Sequence, residues 1–366
     1  MKIHEKFIKR CLELAVLGSG KTKSNPLVGC VIVYDNMIIS EGYHKEFGGP
    51  HAEVNAINKL KEKYPSDYKK ILKQSILYVN LEPCSHFGKT PPCTKFILEH
   101  NIKQVVIGTI DPNKIVYKKG ITELKKQIHV ISGIMSQECK NINKQYFINH
   151  TFNRPYIVIK WAESLNGYVN NKQSGITKIS CKESHVLTHK WRSQVDAIMV
   201  GTNTIKYDNP QLTTRHIEGN NPTRITIDRH NSLEYKKFNI FNTESKTIIF
   251  NETHEKVIKN INYINYMPCK LKELPNNDVE KLEMIIKKIY QIGLKSVLIE
   301  GGPTIIQKLL KINLWDEIKI FRSPNKIKDG VKAPLFQYGN NYNIKKEKIG
   351  HDLLTTIIND STKKND

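Results

Sequence analysis

The sequence predicts an α/β chain built as two domains, and three observations carry that prediction. Short apolar runs of strand length alternate with segments whose apolar residues recur at helical spacing. The alternation breaks at a polar connector, His150-Thr151-Phe152-Asn153-Arg154-Pro155, and restarts after it. A length of 366 residues accommodates two domains of ordinary size. The expected division is residues 1–149 and 150–366.

In the first part, Phe7, Ile8, Cys11, Leu12, Ala15 and Val16 share one face of a helix from about Glu5 to Leu17, which Gly18-Ser19-Gly20 stops. Ser24 to Gly29 forms a loop feeding a buried strand, Cys30-Val31-Ile32-Val33. Asp35-Asn36 turns that strand back into Met37-Ile38-Ile39-Ser40. His51 opens a helix to about Lys61 that turns Val54, Ile57 and Leu60 inward. Residues 76–81 form a strand ending at Glu82-Pro83-Cys84, and Pro91-Pro92 shapes the start of a helix from Cys93 to about His100. A strand at 104–108 follows, then a polar helix from Gln137 to about Tyr146. Strands on this alternating plan imply a three-layer α/β/α domain.

The second part opens with strand 156–162 and a helix from about Cys181 to Ser193. Strands follow at 197–201, 223–228 and 247–251, then a helix from about Val279 to Gln291. Strand 296–300 delivers Gly301-Gly302-Pro303-Thr304 to a helix start. Backbone N–H groups at such a start can cradle a phosphate, although a Gly-Gly after a strand is more often a tight turn.

Composition narrows the class. A hydrophobic share of 39% and a charged share of 25% are those of a globular chain. No apolar stretch is long enough to span a membrane, and the amino terminus lacks an apolar signal core, so the expectation is a cytoplasmic protein. The net charge is +22, from 57 basic and 35 acidic residues. It is mostly lysine spread along the chain, and a nucleic-acid partner would call for exposed aromatics interleaved with a basic face. Near the motif described next there is only Phe87. Seven scattered cysteines do not form a disulfide framework.

The chemistry concentrates in Gly49-Pro50-His51-Ala52-Glu53-Val54 and Leu81-Glu82-Pro83-Cys84, with Cys93 beyond. A His followed two residues on by Glu, then Pro-Cys and a further Cys, is the signature of a zinc deaminase. His51, Cys84 and Cys93 would hold Zn²⁺ with the fourth tetrahedral position left for water, as in a catalytic site. Glu53 is then the proton shuttle. His-x-Glu alone would fit a helix-capping His and a surface Glu; the cysteines in order favour zinc. Helix N-termini near the ligands would favour thiolates.

The eight residues between the cysteines, Ser-His-Phe-Gly-Lys-Thr-Pro-Pro, depart from the Pro-Cys-x-x-Cys of most deaminases. With Asn25-Pro26-x-Val28-Gly29 and Gly42-x-His44, they resemble the deaminase half of the bifunctional riboflavin-biosynthesis deaminase-reductases. The resemblance implies a cytidine-deaminase-like domain that removes the 2-amino group of 2,5-diamino-6-ribosylamino-4(3H)-pyrimidinone 5′-phosphate. It further implies that Asn25 bonds the pyrimidine edge and that His44, His86 and Lys89 are substrate contacts or solvated loop residues. One departure falls after Asp111-Pro112-Asn113, where Tyr117 and Lys118 replace small residues.

The second half resembles the reductase half of the same family. The match runs through Ala162-Glu163-Ser164-Leu165-Asn166-Gly167, through Arg192-x3-Asp196 to Arg215, and through Ile299-Glu300-Gly301-Gly302-Pro303-Thr304. It implies a dihydrofolate-reductase-like fold that uses NADPH to open the ribosyl group to ribityl. By resemblance, Arg192, Leu212, Arg215 and Glu300 meet the substrate, the guanidinium forks suiting its 5′-phosphate. Ala162, Thr204, Asp208, Gly301, Gly302, Pro303 and Thr304 meet NADPH, and Asp208 is a candidate proton donor. Arg229 would pair the 2′-phosphate, though a surface Arg at a strand end reads as well. Lys178 stands where the family commonly has Trp, and Ile176 where it has Ser. A deaminase with a degenerate second half, or a nucleic-acid-editing zinc enzyme, are the rival readings. The family also suggests a homo-oligomer.

Overall fold

A computed structural model describes residues 2–87, 91–171, 177–252, 264–268, 278–339 and 342–360. It divides into two compact units, Met1–Asn153 and Arg154–Asp366.

The first unit begins with α1 (Lys2–Val16), then the hairpin β1 (Gly29–Tyr34) and β2 (Met37–Tyr43). Asp35 and Asn36 sit at φ 47° and 57°, the left-handed pair that a tight two-residue hairpin demands. There follow α2 (Ala52–Lys63), α3 (Tyr68–Gln74), β3 (Ile76–Leu81), α4 (Cys93–Glu99), β4 (Gln104–Thr109), α5 (Lys119–Leu124), β5 (His129–Ser132), α6 (Ser136–Ile142) and α7 (Lys144–Phe152). The sheet order is β2-β1-β3-β4-β5. The β1–β2 and β1–β3 pairs are antiparallel, and β3–β4 and β4–β5 are parallel.

Alternation along the strands sends Cys30, Ile32, Leu77 and Val79 to the face covered by α2 and α4. Val31, Val33, Tyr78 and Val106 point to the opposite face, against α1 and α6. Helices thus cover both faces, as the sequence pattern implies. Two details differ from it. On α1, Leu14 is buried and Val16 is exposed, so the apolar stripe runs one residue off the expected face. Residues 150–152 close α7 rather than opening a connector, and Asn153 ends that helix at φ 52°.

The second unit comprises β6 (Tyr156–Glu163), β7 (Tyr168–Asn171), α8 (Lys182–Gln194), β8 (Ala197–Gly201), α9 (Thr202–Asp208), β9 (Thr223–Ile227), β10 (Thr247–Asn251) and β11 (Ile264–Pro268). Next come α10 (Asp278–Gln291), β12 (Ser296–Ile299), α11 (Pro303–Lys311), β13 (Glu317–Arg322), β14 (Gly330–Lys332), β15 (Tyr342–Ile349) and β16 (Asp352–Asn359). Nine strands order as β11-β10-β9-β8-β12-β6-β13-β16-β15, and β7 pairs with β14. The run from β11 to β13 is parallel; β16 and β15 add antiparallel strands at one edge. All four residues of β12 are buried, as expected for a central parallel strand covered on both faces. Val297 and Ile299 join the cluster under α10 and α11, whereas Ile198 and Val200 of neighbouring β8 pack into a second cluster on the other face.

Candidate active sites

In the first unit, β3 carries the chain to Glu82-Pro83-Cys84, and two helix starts face it. His51 is the N-cap residue of α2, with extended backbone at φ −72°, ψ 165°. Cys93 is the first residue of α4. Cys84 lies in the loop, but its Sγ accepts the Cys93 backbone N–H at 3.4 Å, so it too meets a helix start. His51 Nδ1 stands 3.2 Å from Cys93 Sγ and 3.6 Å from Cys84 Sγ, and all three ligand atoms lie within 4.8 Å of one another. A tetrahedral zinc with bonds of about 2.3 Å to sulfur and about 2.0 Å to nitrogen separates N and S by roughly 3.5 Å. The residues fit the metal. The Cys84 thiol falls to about 4, held there by the Cys93 thiol and then by His51. Glu53, on the first turn of α2 and 3% exposed, has its carboxyl pushed up by burial, which suits a group that takes and returns protons.

Asn25 and His44 meet beside this cluster. His44 Nδ1 lies 3.1 Å from the Pro50 carbonyl oxygen, and its Nε2 lies 3.0 Å from Asn25 Nδ2. An Nδ1–H donated to Pro50 leaves Nε2 as the acceptor, and burial holds the imidazole neutral by lowering its pKa. His44 is 3% exposed and its ring packs edge-on against that of His51 at 5.5 Å. It stands behind Asn25 rather than open to a ligand. His86 is half-buried with an unpartnered Nδ1, and Lys89 lies outside the described residues.

The departure at Tyr117-Lys118 leaves both side chains exposed, with Lys118 in the left-handed region at φ 58° before α5. The close approach of this segment occurs instead at Gly120, where an added Cβ would meet the Pro83 carbonyl oxygen at 2.1 Å.

In the second unit, Glu300 follows β12, and Arg192 reaches it from α8. Arg192 Nε and Nη2 donate to the two carboxylate oxygens at 2.8 and 2.9 Å, and Nη1 donates to the Thr213 carbonyl at 3.1 Å. Burial alone would raise the Glu300 carboxyl, but Arg192 and then Lys160 hold it at about 2. The expected phosphate-gripping fork of Arg192 is therefore directed at Glu300. Arg215 is exposed; its Nη1 donates to Gln211 at 2.5 Å, and its backbone N–H to His189 Nδ1 at 3.0 Å. Leu212, expected to line substrate, is 2% exposed in the apolar cluster of Ile198 and Val200. The sequence reading missed Lys160, whose Nζ lies 3.8 Å from Glu300. A lysine inside an otherwise apolar strand was the available signal.

Four of the expected cofactor residues come together. Thr204, Arg229, Gly302 and Thr304 line a cavity of about 360 Å³, with Lys281 and Lys308 adding positive charge. Gly302 caps α11, Pro303 occupies its first turn, and the Gly302 N–H donates to Thr204 Oγ1 at 3.0 Å. Arg229 is fixed by Glu252, with Nε 2.8 Å and Nη2 2.6 Å from Oε1. Cationic walls around a helix start fit a phosphate-bearing dinucleotide. Ala162, Asp208, Gly301 and Pro303 are not among the lining residues. Lys178 is exposed, and residue 176 lies outside the described residues.

The chain matches the family model of the RibD C-terminal domain over residues 155–351 and that of the cytidine and deoxycytidylate deaminase zinc-binding region over residues 1–109. It is 35% identical over 360 residues to the riboflavin biosynthesis protein RibD of Buchnera aphidicola, covering 92% of this chain and 91% of that one. It is 33% identical to that of Aquifex aeolicus, covering 90% and 89%. This chain belongs to the RibD family. It is a bifunctional deaminase-reductase of riboflavin biosynthesis, with a zinc deaminase domain followed by an NADPH-using reductase domain. The same architecture is present in a solved Thermotoga maritima structure, a diaminohydroxyphosphoribosylaminopyrimidine deaminase/5-amino-6-(5-phosphoribosylamino)uracil reductase. That structure is 32% identical, with a TM-score of 0.82 over 98% of this chain and 99% of the other. Among the described residues no helix is long and apolar enough to cross a membrane.

Proposed function

We propose that His51, Cys84, Cys93 and Glu53 form the deaminase centre and that Glu300, Arg192, Lys160 and the Thr204–Gly302 cavity form the reductase centre. Both act on a small phosphorylated pyrimidine in the cytoplasm. The observation that carries the first assignment is the convergence of three ligand atoms within 4.8 Å beside a buried carboxyl. Zinc held by His51, Cys84 and Cys93 supplies a Lewis acid that makes water nucleophilic at neutral pH. Glu53 takes the proton from the attacking water and delivers it to the departing ring amine, so that ammonia leaves and a carbonyl remains. Asn25, oriented from behind by His44, offers its Oδ1 and second N–H to the pyrimidine edge.

In the second unit NADPH supplies the hydride, and the chain supplies orientation and charge. Opening the sugar ring requires a proton on the ring oxygen as hydride reaches C1′. Lys160, its pKa lowered by burial and its Nζ 3.8 Å from Glu300, is assigned this proton in place of Asp208 at the end of α9. Arg215, exposed at the surface of this unit, is assigned to the 5′-phosphate.

A two-stage assay on zinc-loaded protein tests the division of labour. Glu53→Ala should lose ammonia release and keep NADPH oxidation on the already deaminated substrate. Retained ammonia release would refute the role of Glu53, and absence of NADPH oxidation in the wild type would refute the second centre.

A further inference from the structure

We infer that Glu82 is a positioning residue of the deaminase, its carboxylate holding the 111–121 segment, with Asp111 and Asn113, against the loop that bears Cys84. Glu82 is 3% exposed and follows β3 directly. Its own backbone N–H donates to the Thr109 carbonyl at 2.9 Å, prolonging the sheet by one residue. Its side chain then does what the sheet no longer can. Oε2 accepts the backbone N–H groups of Asp111 and Lys118, each at 3.1 Å, and Oε1 accepts that of Ile121 at 3.1 Å.

Two donors from the irregular stretch 111–118 and one from the first turn of α5 therefore converge on a single buried carboxylate. Residues 111–118 form no strand or α-helix that could satisfy the first two amides, and Ile121 lies in the first turn of α5, where N–H groups have no partner within the helix. The segment is also held from its far side, where Tyr146 of α7 donates its hydroxyl to both Asp111 oxygens at 3.0 and 3.1 Å. Gly120 lets it approach to the Pro83 carbonyl. Pro83 is the residue before Cys84, so the held segment borders the loop that carries that ligand.

A carboxylate is required because both oxygens must accept. A glutamine accepts at one end only and turns an amide N–H₂ toward backbone donors at the other. The inference rests on the reading of this centre as the deaminase, and it assigns Glu82 neither to the metal nor to proton transfer: it sets where the segment stands when the phosphorylated pyrimidine binds.

The test uses the full-length, zinc-loaded chain with Glu82→Gln. The measurements are the KM and kcat of ammonia release, zinc content, NADPH oxidation on deaminated substrate, and hydrogen exchange at the amides of Asp111, Lys118 and Ile121. A KM raised about tenfold or more is expected from losing a charge-assisted bond. Exchange at those amides should be faster, with kcat, zinc content and the reductase step close to wild type. An unchanged KM overturns the inference, as does lost zinc with an unchanged KM, which would make Glu82 a support of the ligand loop alone. If Glu82→Gln does not fold, Tyr146→Phe replaces it: a raised KM with kcat retained supports the inference, and an unchanged KM overturns it. If the wild type releases no ammonia while these amides are protected, the deaminase reading has failed and the clamp itself has not.

Discussion

Arg192→Met should destabilise the second unit while leaving the first intact. The Arg192 and Glu300 side chains are 11% and 9% exposed and share two hydrogen bonds of 2.8 and 2.9 Å. Removing one partner from such a buried pair costs about 3–5 kcal/mol, because the other charge stays buried without compensation. Lys160, at 3.8 Å, continues to offset part of it, which places the expectation near the lower end at about 3 kcal/mol. For a unit of this size that corresponds to a fall in Tm of roughly 6–12 °C. The chain's three tryptophans, Trp161, Trp191 and Trp315, all belong to the second unit, so their fluorescence follows its unfolding selectively. A urea titration read this way should show a lower midpoint with the slope unchanged.

The pH dependence supplies a second handle on the same pair. The Glu300 carboxyl lies at about 2, below its ordinary 4.5, so its stabilisation is complete above 4.5 and is lost as pH falls through 2. The difference between wild type and Arg192→Met should therefore narrow across that window. Replacing Arg192 and Glu300 together would leave Lys160 as the buried cation without its partner, so much of the stability, though not the activity, should return only when Lys160→Met joins Arg192→Met and Glu300→Leu. A midpoint shift worth less than about 1 kcal/mol for the single variant would refute the reasoning, since that is the value of an exposed pair.

Four further outcomes are expected. Gly120→Ala forces a Cβ toward the Pro83 carbonyl, so the 111–121 segment must move; the deaminase KM should rise about as much as for Glu82→Gln, with NADPH oxidation unaffected. Thr204→Val removes the acceptor for the Gly302 N–H at the mouth of the cavity; NADP⁺ binding measured by calorimetry should weaken about fivefold, the worth of one neutral hydrogen bond. Dialysis against a zinc chelator should abolish ammonia release and spare the reductase step, and Cys93→Ser should lower zinc content measured by elemental analysis.

The convergence of His51, Cys84 and Cys93 was legible in the sequence because such a cluster demands particular residue types at chain positions that are themselves marked. His51 caps a helix, and Cys93 follows two prolines that shape another. Central strands such as β3, β8 and β12 were legible for a related reason: burial on both faces writes a continuous apolar run. Short or weakly amphipathic elements were not. In α9 the only buried residue is Ile205, while Tyr207 is exposed, and β15 is an edge strand whose Lys345, Lys346 and Lys348 face solvent, so neither carries a period to read.

What the tertiary structure alone decided is how each functional group is held. Glu82 finds its donors 29 to 39 residues away, and Arg192 finds Glu300 across 108. The family resemblance predicts Arg192 near substrate, but only the packing of α8 beside the end of β12 turns its fork onto a carboxylate. Residue type and local period are properties of neighbours along the chain; the partner of a buried charge is set by which strands lie side by side, and strand order is a property of the whole sheet.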